Sequence, residues 1–380
     1  MKPQSDTISL ILKNYTLCEF CAGRLLSKFD GKPQSKLLGK KLLKKFSKSS
    51  DKKCHVCKNI FDNLDNMFSN IYEKSSSFDF KTFHIGITLK PSLLERDDNL
   101  KSKFKIKGIE NIKFSLASEL TKKISRRTNL IRVVNDPDLT IQANFKDESC
   151  TLRAKPMFVY GRYTKNTRKI PQQKKQCTRC NGFGCHNCDF NGIKNVQSVE
   201  SEISNLLIKK FDANQIKINW IGGEDQSSLV LGNGRPFFAK IINPKKRYRI
   251  LRKLFVLDGI HLSELQKISL QPKGSIPFKS QVSITIDTEK PISSIQLKKL
   301  KILKNTEIKD PSRDKKYAKK QIYTVHYKKL GKKSFKLDLL ADGGIPLKSF
   351  IQNSDVFPNV SDLVKNRCIC KTLDFKNIQI

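Results

Sequence analysis

Residues 216–242 read IKINWIGGEDQSSLVLGNGRPFFAKII, and this stretch sets both the fold class and the place to look for chemistry. Ile216–Ile221 is rich in β-branched and aromatic residues, which predicts a strand, and Gly222-Gly223 breaks it. Glu224 and Asp225 then fall on a loop at a strand end, where a rigid scaffold can aim side chains into a cleft. Leu229–Leu231 and Pro236–Ile242 flank Gly232-Asn233-Gly234, which predicts a β-hairpin with positive φ at the turn. On residue type alone, Asp225 reads first as a turn aspartate that satisfies local amides, ahead of a reactive carboxylate.

Working outward, Val196, Val199, Ile203, Leu206 and Leu207 share one face of a helix that precedes this strand. Val282–Ile286 and Ile322–Tyr327 are strand-like, with a helix near Ser294–Leu303, so the second half is predicted to be an α+β domain. In the first half, Phe83–Leu89 and Leu139–Phe145 read as strands, and Ile112, Leu116, Leu120 and Ile124 recur at helical spacing. Strand, helix, strand on this scale suggests a small α/β domain. The charged segment Asp97–Lys107 is expected to be loop, and Lys36–Lys48 an amphipathic helix with a solvated basic face. Arg153–Gln172 is read as a basic, proline-punctuated connector, and no internal repeat is evident.

Eight of the eleven cysteines form four Cys-x-x-Cys pairs: Cys18/Cys21, Cys54/Cys57, Cys177/Cys180 and Cys185/Cys188. Two such pairs supply four thiolates, the tetrahedral donor set that structural zinc prefers. The second set, CTRCNGFGCHNC, is compact and glycine-rich; in the first, 32 residues separate Cys21 from Cys54, so one ion would tie distant segments together. Disulfides are disfavoured if the chain is intracellular. Cys150, Cys368 and Cys370 are expected to be buried thiols, and His55 and His186 are not needed as ligands.

The 380 residues suffice for two domains, and Lys+Arg exceed Asp+Glu by 74 to 35, a formal charge of +39. Such an excess points to a polyanionic partner, RNA or DNA, bound with strong salt dependence. No apolar run approaches the length of a membrane span, and the N-terminal MKPQSDTISLILKNY lacks the features of a signal peptide, so a cytoplasmic location is expected.

Three motifs carry a family resemblance. Tyr160–Gln172 (YGRYTKNTRKIPQ) followed by the compact cysteine set, Leu231–Arg247 (LGNGRPFFAKIINPKKR), and the split cysteine set resemble the archaeal tRNA pseudouridine synthases of the two-domain type with a THUMP domain and zinc modules, which act at tRNA positions 54 and 55. The resemblance implies a zinc module with a THUMP-like RNA-binding domain over 1–155. Over 156–380 it implies a catalytic domain with a central antiparallel sheet and an inserted knuckle at 177–188. It further implies an isomerase that converts T-loop uridine to pseudouridine, with Asp225 as nucleophile, structural zinc and no organic cofactor. Arg162, Lys165 and Arg168 are expected to touch the RNA backbone, and Arg235 either RNA or the Asp225 loop. Lys348, in GGIPLKSF (Gly343–Phe350), matches a lysine-bearing family motif.

The chain departs from the family pattern at three places. Gly223 stands where an arginine is expected, Ser227 where a second aspartate is expected, and Gln281-Val282 where a tyrosine is expected. Tyr323 and Tyr327 are the candidates to replace that tyrosine in space. These departures keep alive a second expectation, a zinc-containing tRNA-binding protein of the same fold with weak or no catalysis, and a third, a nucleic-acid-binding protein of another purpose.

Overall fold

The structure is a computed structural model of the full chain; it describes all residues except 1, 31–33, 49–52, 191, 194–196, 311–318 and 353–355. Val196, expected on a helical face, lies outside the described residues. The chain divides into two compact units, Met1–Lys155 with Lys245–Arg247, and Pro156–Pro244 with Tyr248–Ile380.

The first unit joins helices Lys2–Asn14, Glu19–Leu25, Ser27–Asp30, Lys36–Lys45 and Leu64–Ser75 to a four-stranded sheet. Its strands are β1 (Thr82–Thr88), β2 (Ile131–Arg132), β3 (Leu139–Asn144) and β4 (Ser149–Ala154), in the order β2-β1-β3-β4. β1 runs parallel to β2 and β3, and β4 is antiparallel to β3. Strict alternation buries Phe83, Ile85 and Ile87 of β1 against Leu116 and Leu120 of the Ile112–Arg127 helix. The Lys36–Lys45 helix buries Leu38, Leu42 and Leu43 and turns its lysines outward.

One expectation here is corrected. Asp97–Lys107 is not a loop throughout, because Pro91–Lys103 is a helix with proline in its first turn. Leu93, Asp97 and Leu100 form its inward face. Asp97 tolerates burial because Arg24 clamps both carboxylate oxygens, with Lys101 Nζ 2.9 Å away. Charge density disguised the periodicity.

The second unit is a ten-stranded sheet with helices Val199–Phe211, Ser294–Lys298, Leu347–Gln352 and Val360–Val364. Its strands are β5 (Met157–Lys165), β6 (Gln215–Trp220), β7 (Val230–Ile242), β8 (Phe255–Leu257), β9 (Ile260–Ile268), β10 (Lys279–Thr288), β11 (Thr306–Lys309), β12 (Lys319–Gly331), β13 (Ser334–Asp342) and β14 (Cys368–Gln379). The order is β11-β12-β13-β10-β14-β7-β5-β9-β8, with β6 attached to β7. Every pairing is antiparallel except β14 with β7. Of Arg153–Gln172, expected to be a connector, only the junction at Lys155 and Pro156 joins the two units; Arg153 and Ala154 end β4, and Met157–Lys165 is β5, a central strand that buries Val159 and Tyr163.

The predicted hairpin at Gly232–Gly234 is also corrected, since β7 passes straight through it. Tyr163 pairs with Arg235 and Lys165 with Val230, so two steps along β5 match five along β7, leaving a glycine-rich bulge. Gly232 and Gly234 both hold positive φ, and a Cβ at Gly232 would stand 2.1 Å from the Lys376 carbonyl oxygen. Adjacent glycines thus signalled positive φ correctly but did not reverse the chain.

Candidate active site

One flank of β7 is shared between two strands. β6 pairs with its Phe237–Ile242 half, whereas β14 reaches it at Val230. The sheet forks there, and the loop from Ile221 to Leu229 lies in the fork. Asp225 sits on this loop, which is tied down on both sides. Gln172 Nε2 donates to the Gly222 carbonyl (3.3 Å), Lys169 N to the Gln226 carbonyl (2.7 Å) and Ser228 N to the Asp225 carbonyl (3.0 Å).

Behind the loop lies a buried ion cluster. Glu224 is fully buried, with Arg235 Nε donating to Oε2 at 3.0 Å and Lys165 Nζ 3.3 Å from Oε1, an ion pair without hydrogen-bond geometry. Arg235 Nη1 donates to the Ile221 carbonyl (2.8 Å), and its guanidinium lies 4.4 Å over the Phe375 ring. Lys165 Nζ also donates to the carbonyls of Ile170 (2.8 Å) and Asp225 (3.2 Å). Burial pushes the Lys165 ammonium below its ordinary pKa, opposed by Glu224. Burial, reinforced by Glu224, pushes the Tyr163 hydroxyl well above its own. The backbone from which Asp225 projects is fixed by these groups.

The side chain of Asp225 points the other way, to solvent. Lys348 Nζ donates to Oδ2 at 2.6 Å, and the Ser227 amide and hydroxyl both donate to Oδ1 at 2.8 Å. The Lys348 hydrogen bond, with the Ser227 donors, holds the carboxyl well below the usual carboxylate range. Asp225 and Lys348 line a cleft of about 350 Å³ whose apolar wall is Ile345, Pro346, Leu347, Leu373 and Phe375. Ser227, which replaces an expected carboxylate, thus serves as donor to Asp225, and Lys348 is the cation paired with it.

The remaining expected contacts are placed as follows. Arg162 is buried rather than presented to RNA. Its guanidinium donates to the carbonyls of Asn233 (2.6 Å), Gly234 (3.1 Å) and Ile378, stitching the β7 bulge to β14. Lys165 and Arg235 are buried as described, so neither meets a phosphate in this conformation. Arg168 makes a bidentate pair with Asp374 (2.8 and 2.9 Å) and donates to the Ser227 carbonyl, clamping the far end of the Asp225 loop. Tyr323 donates to Asp342 at 2.8 Å beneath the Lys279 ammonium and is not among the residues that line the Asp225 cleft.

Sequence reasoning missed Phe278, whose ring is wedged against Gly222 and Gly343 between the two loops that form the site. It also missed Gln172, Asp374 and the role of Glu224. An alternation that buries Val159, Tyr163 and Lys165 was the available signal for β5. The Arg168–Asp374 pair, far apart in sequence, had none.

Two four-cysteine groups lie apart from the cleft: Cys18, Cys21, Cys54 and Cys57 in the first unit, and Cys177, Cys180, Cys185 and Cys188 in the second. Within each, all sulfurs fall within 4.8 Å of one another. The Cys18 and Cys57 sulfurs are 3.5 Å apart and those of Cys177 and Cys185 3.9 Å apart. A tetrahedral ion with metal–sulfur bonds of about 2.3 Å puts its sulfurs roughly 3.8 Å apart, so both groups fit a metal ion. Of the other thiols, Cys150 and Cys368 are buried and Cys370 is half-buried.

An aspartate on a loop at a strand end, held by a lysine at an open cleft in a strongly basic chain, suits an enzyme that acts on RNA. The comparisons with known proteins agree. Residues 158–379 match the family model "Pus10, C-terminal", and residues 68–144 match "Pus10 THUMP domain, archaeal". The tRNA pseudouridine synthase Pus10 of Nitrosopumilus maritimus is 42% identical over 97% of this chain and 96% of its own length. That of Cenarchaeum symbiosum is 29% identical over 97% and 91%. A solved archaeal box H/ACA Nop10–Cbf5 complex aligns with 57% of this chain and 47% of that one at 8% identity and a TM-score of 0.29. The chain belongs to the Pus10 family of tRNA pseudouridine synthases, which are isomerases. Among the described residues no helix is long and apolar enough to cross a membrane.

Proposed function

We propose that this chain isomerises uridine to pseudouridine in the T-loop of tRNA, with Asp225 as the reacting carboxylate. The observation that carries the reading is the geometry of Asp225, exposed at a cleft yet fixed by Lys348 and Ser227 and by the buried cluster behind it. The reaction breaks the N-glycosidic bond, turns the base and rejoins it through carbon. The target nucleotide must leave the stack to reach the carboxylate, and the cleft is open to receive it. Asp225 is kept anionic, the form required either to attack carbon or to stabilise positive charge on the sugar. Lys348 holds one oxygen and leaves the anion oriented toward the cleft.

Zinc is the ion that best suits both thiolate groups, because four sulfurs in tetrahedral reach match its preference. It would stiffen Cys18/Cys21 against Cys54/Cys57 and close the 177–188 knuckle, supplying no step of the chemistry. The 1–155 domain would add its hold on the tRNA backbone, and the site of action would be the cytoplasm. The test is incubation with an unmodified tRNA transcript followed by pseudouridine mapping to the nucleotide. Product confined to the T-loop supports the reading; product elsewhere removes the assignment of position.

A further inference from the structure

Beyond the catalytic cleft, the second cysteine group carries a feature that metal binding does not use. Cys180-Asn181-Gly182-Phe183-Gly184-Cys185 is a tight turn in which Gly182 and Gly184 both hold positive φ. A Cβ at Gly184 would stand 2.6 Å from the Phe190 carbonyl oxygen, so the turn can close only as glycine. Phe183, between them, is thrown outward and is 94% exposed. Phe190, at the edge of the same knuckle, is 66% exposed, and its ring meets His186 edge-on at 4.7 Å. Phe183 and Phe190 thus present two aromatic side chains to solvent on one small knuckle. The segment that carries it is cationic: residues 174–190 hold Lys174, Lys175 and Arg179 against Asp189, with the Glu200 carboxylate accepting from the Lys174 amide at 2.9 Å at its base.

The knuckle is also attached at a telling place. Its two arms close through the Gln176–Ile193 bridge and the Cys177 N–Gly192 O bond (2.9 Å). The arm that leads into it leaves Gln172, which holds the Gly222 carbonyl of the Asp225 loop, and Gln173, which borders a cleft of about 970 Å³ beside that loop. The knuckle therefore springs from residues beside the one that braces the Asp225 loop.

We propose that Phe183 is a stacking platform for an unpaired base of the RNA substrate, with Arg179 and Lys175 on the adjacent phosphates. An aromatic face accepts any unstacked base, and flanking cations neutralise the backbone. A duplex offers no free base face to it. The proposal rests on the tRNA-modifying function above, and its test separates the two.

The full-length chain is compared with Phe183→Ala and Phe183→Trp for binding to a T-arm hairpin RNA and to a fully paired duplex of equal length, alongside turnover at saturating hairpin. Zinc content of each variant reports that the knuckle remains intact. Stacking contributes about 1–3 kcal/mol per base, so Phe183→Ala should weaken hairpin binding by roughly 5- to 150-fold. Duplex affinity and kcat should stay unchanged. Phe183→Trp should retain hairpin affinity, with its fluorescence quenched by hairpin and not by duplex. Equal hairpin affinity for Phe183→Ala and wild type overturns the proposal, as does an equal loss for hairpin and duplex. A wild-type protein that binds hairpin through Phe183 but forms no pseudouridine would strike at the proposed function alone.

Discussion

Replacing Lys348 by methionine should cripple turnover while leaving the fold intact, and the structure sets the size of both effects. Lys348 and Asp225 are 53% and 39% exposed, so water screens their attraction and the pair contributes little to stability, about 0–1 kcal/mol. Its contribution to the site is larger. Asp225 Oδ1 has two donors from Ser227, whereas Lys348 is the donor to Oδ2. Removing it frees one oxygen to hydrate and lets the carboxylate rotate. A hydrogen bond between charged groups is worth about 1.5–3 kcal/mol, and exposure argues for the lower end. A loss of about 1.5 kcal/mol is roughly a tenfold fall in rate. Steady-state pseudouridine formation over a range of tRNA transcript concentrations measures this, with thermal unfolding followed in parallel. We expect kcat down roughly tenfold with KM little changed, Tm within a degree or two of wild type, and Lys348→Arg intermediate. An unchanged rate in Lys348→Met would refute the assignment of Lys348 as the group that orients Asp225.

The same pair sets the pH response. Because the folded carboxyl titrates below its ordinary value of about 3.9, the active anion is present above that value and is lost only as pH falls beneath the usual carboxylate range. The rate should therefore show no acid limb from Asp225 between about pH 5 and 8, and Lys348→Met should move that limb upward. Glu224→Ala leaves Lys165 and Arg235 buried without their counter-charge, which should cost about 3–5 kcal/mol and lower Tm by roughly 10 °C in a calorimetric scan. Strong chelation should strip a metal ion from each four-cysteine group, measured as two equivalents of zinc per chain released in step with loss of the helical signal of the first unit.

Much of the architecture was legible because it is written in local periodicity. Ile112, Leu116, Leu120 and Ile124 announced a helix, and the Ile216–Ile221 run announced β6. The Cys-x-x-Cys spacing marked both four-cysteine groups. What stayed hidden depends on partners remote in sequence. β5 resembles a basic connector because Arg162 and Lys165 are buried on it, which is tolerable only with the carbonyls of Asn233 and Gly234 and the carboxylate of Glu224 waiting across the sheet. Arg168 looks like a phosphate ligand until β14 brings Asp374 alongside. Lys348 and Asp225 meet only because the Leu347–Gln352 helix, which follows β13, brings Lys348 within hydrogen-bond reach of the Asp225 loop, 123 residues away in sequence.

The most direct test of the account is pseudouridine formation by Asp225→Asn beside wild type, on the same transcript and with tRNA affinity measured for both. Asparagine keeps the shape and the Ser227 hydrogen bonds to Oδ1 but cannot carry the negative charge. The account predicts that Asp225→Asn binds tRNA as wild type does and forms no detectable pseudouridine. Turnover by Asp225→Asn at a rate near wild type would contradict it and place the reacting carboxylate elsewhere in the chain.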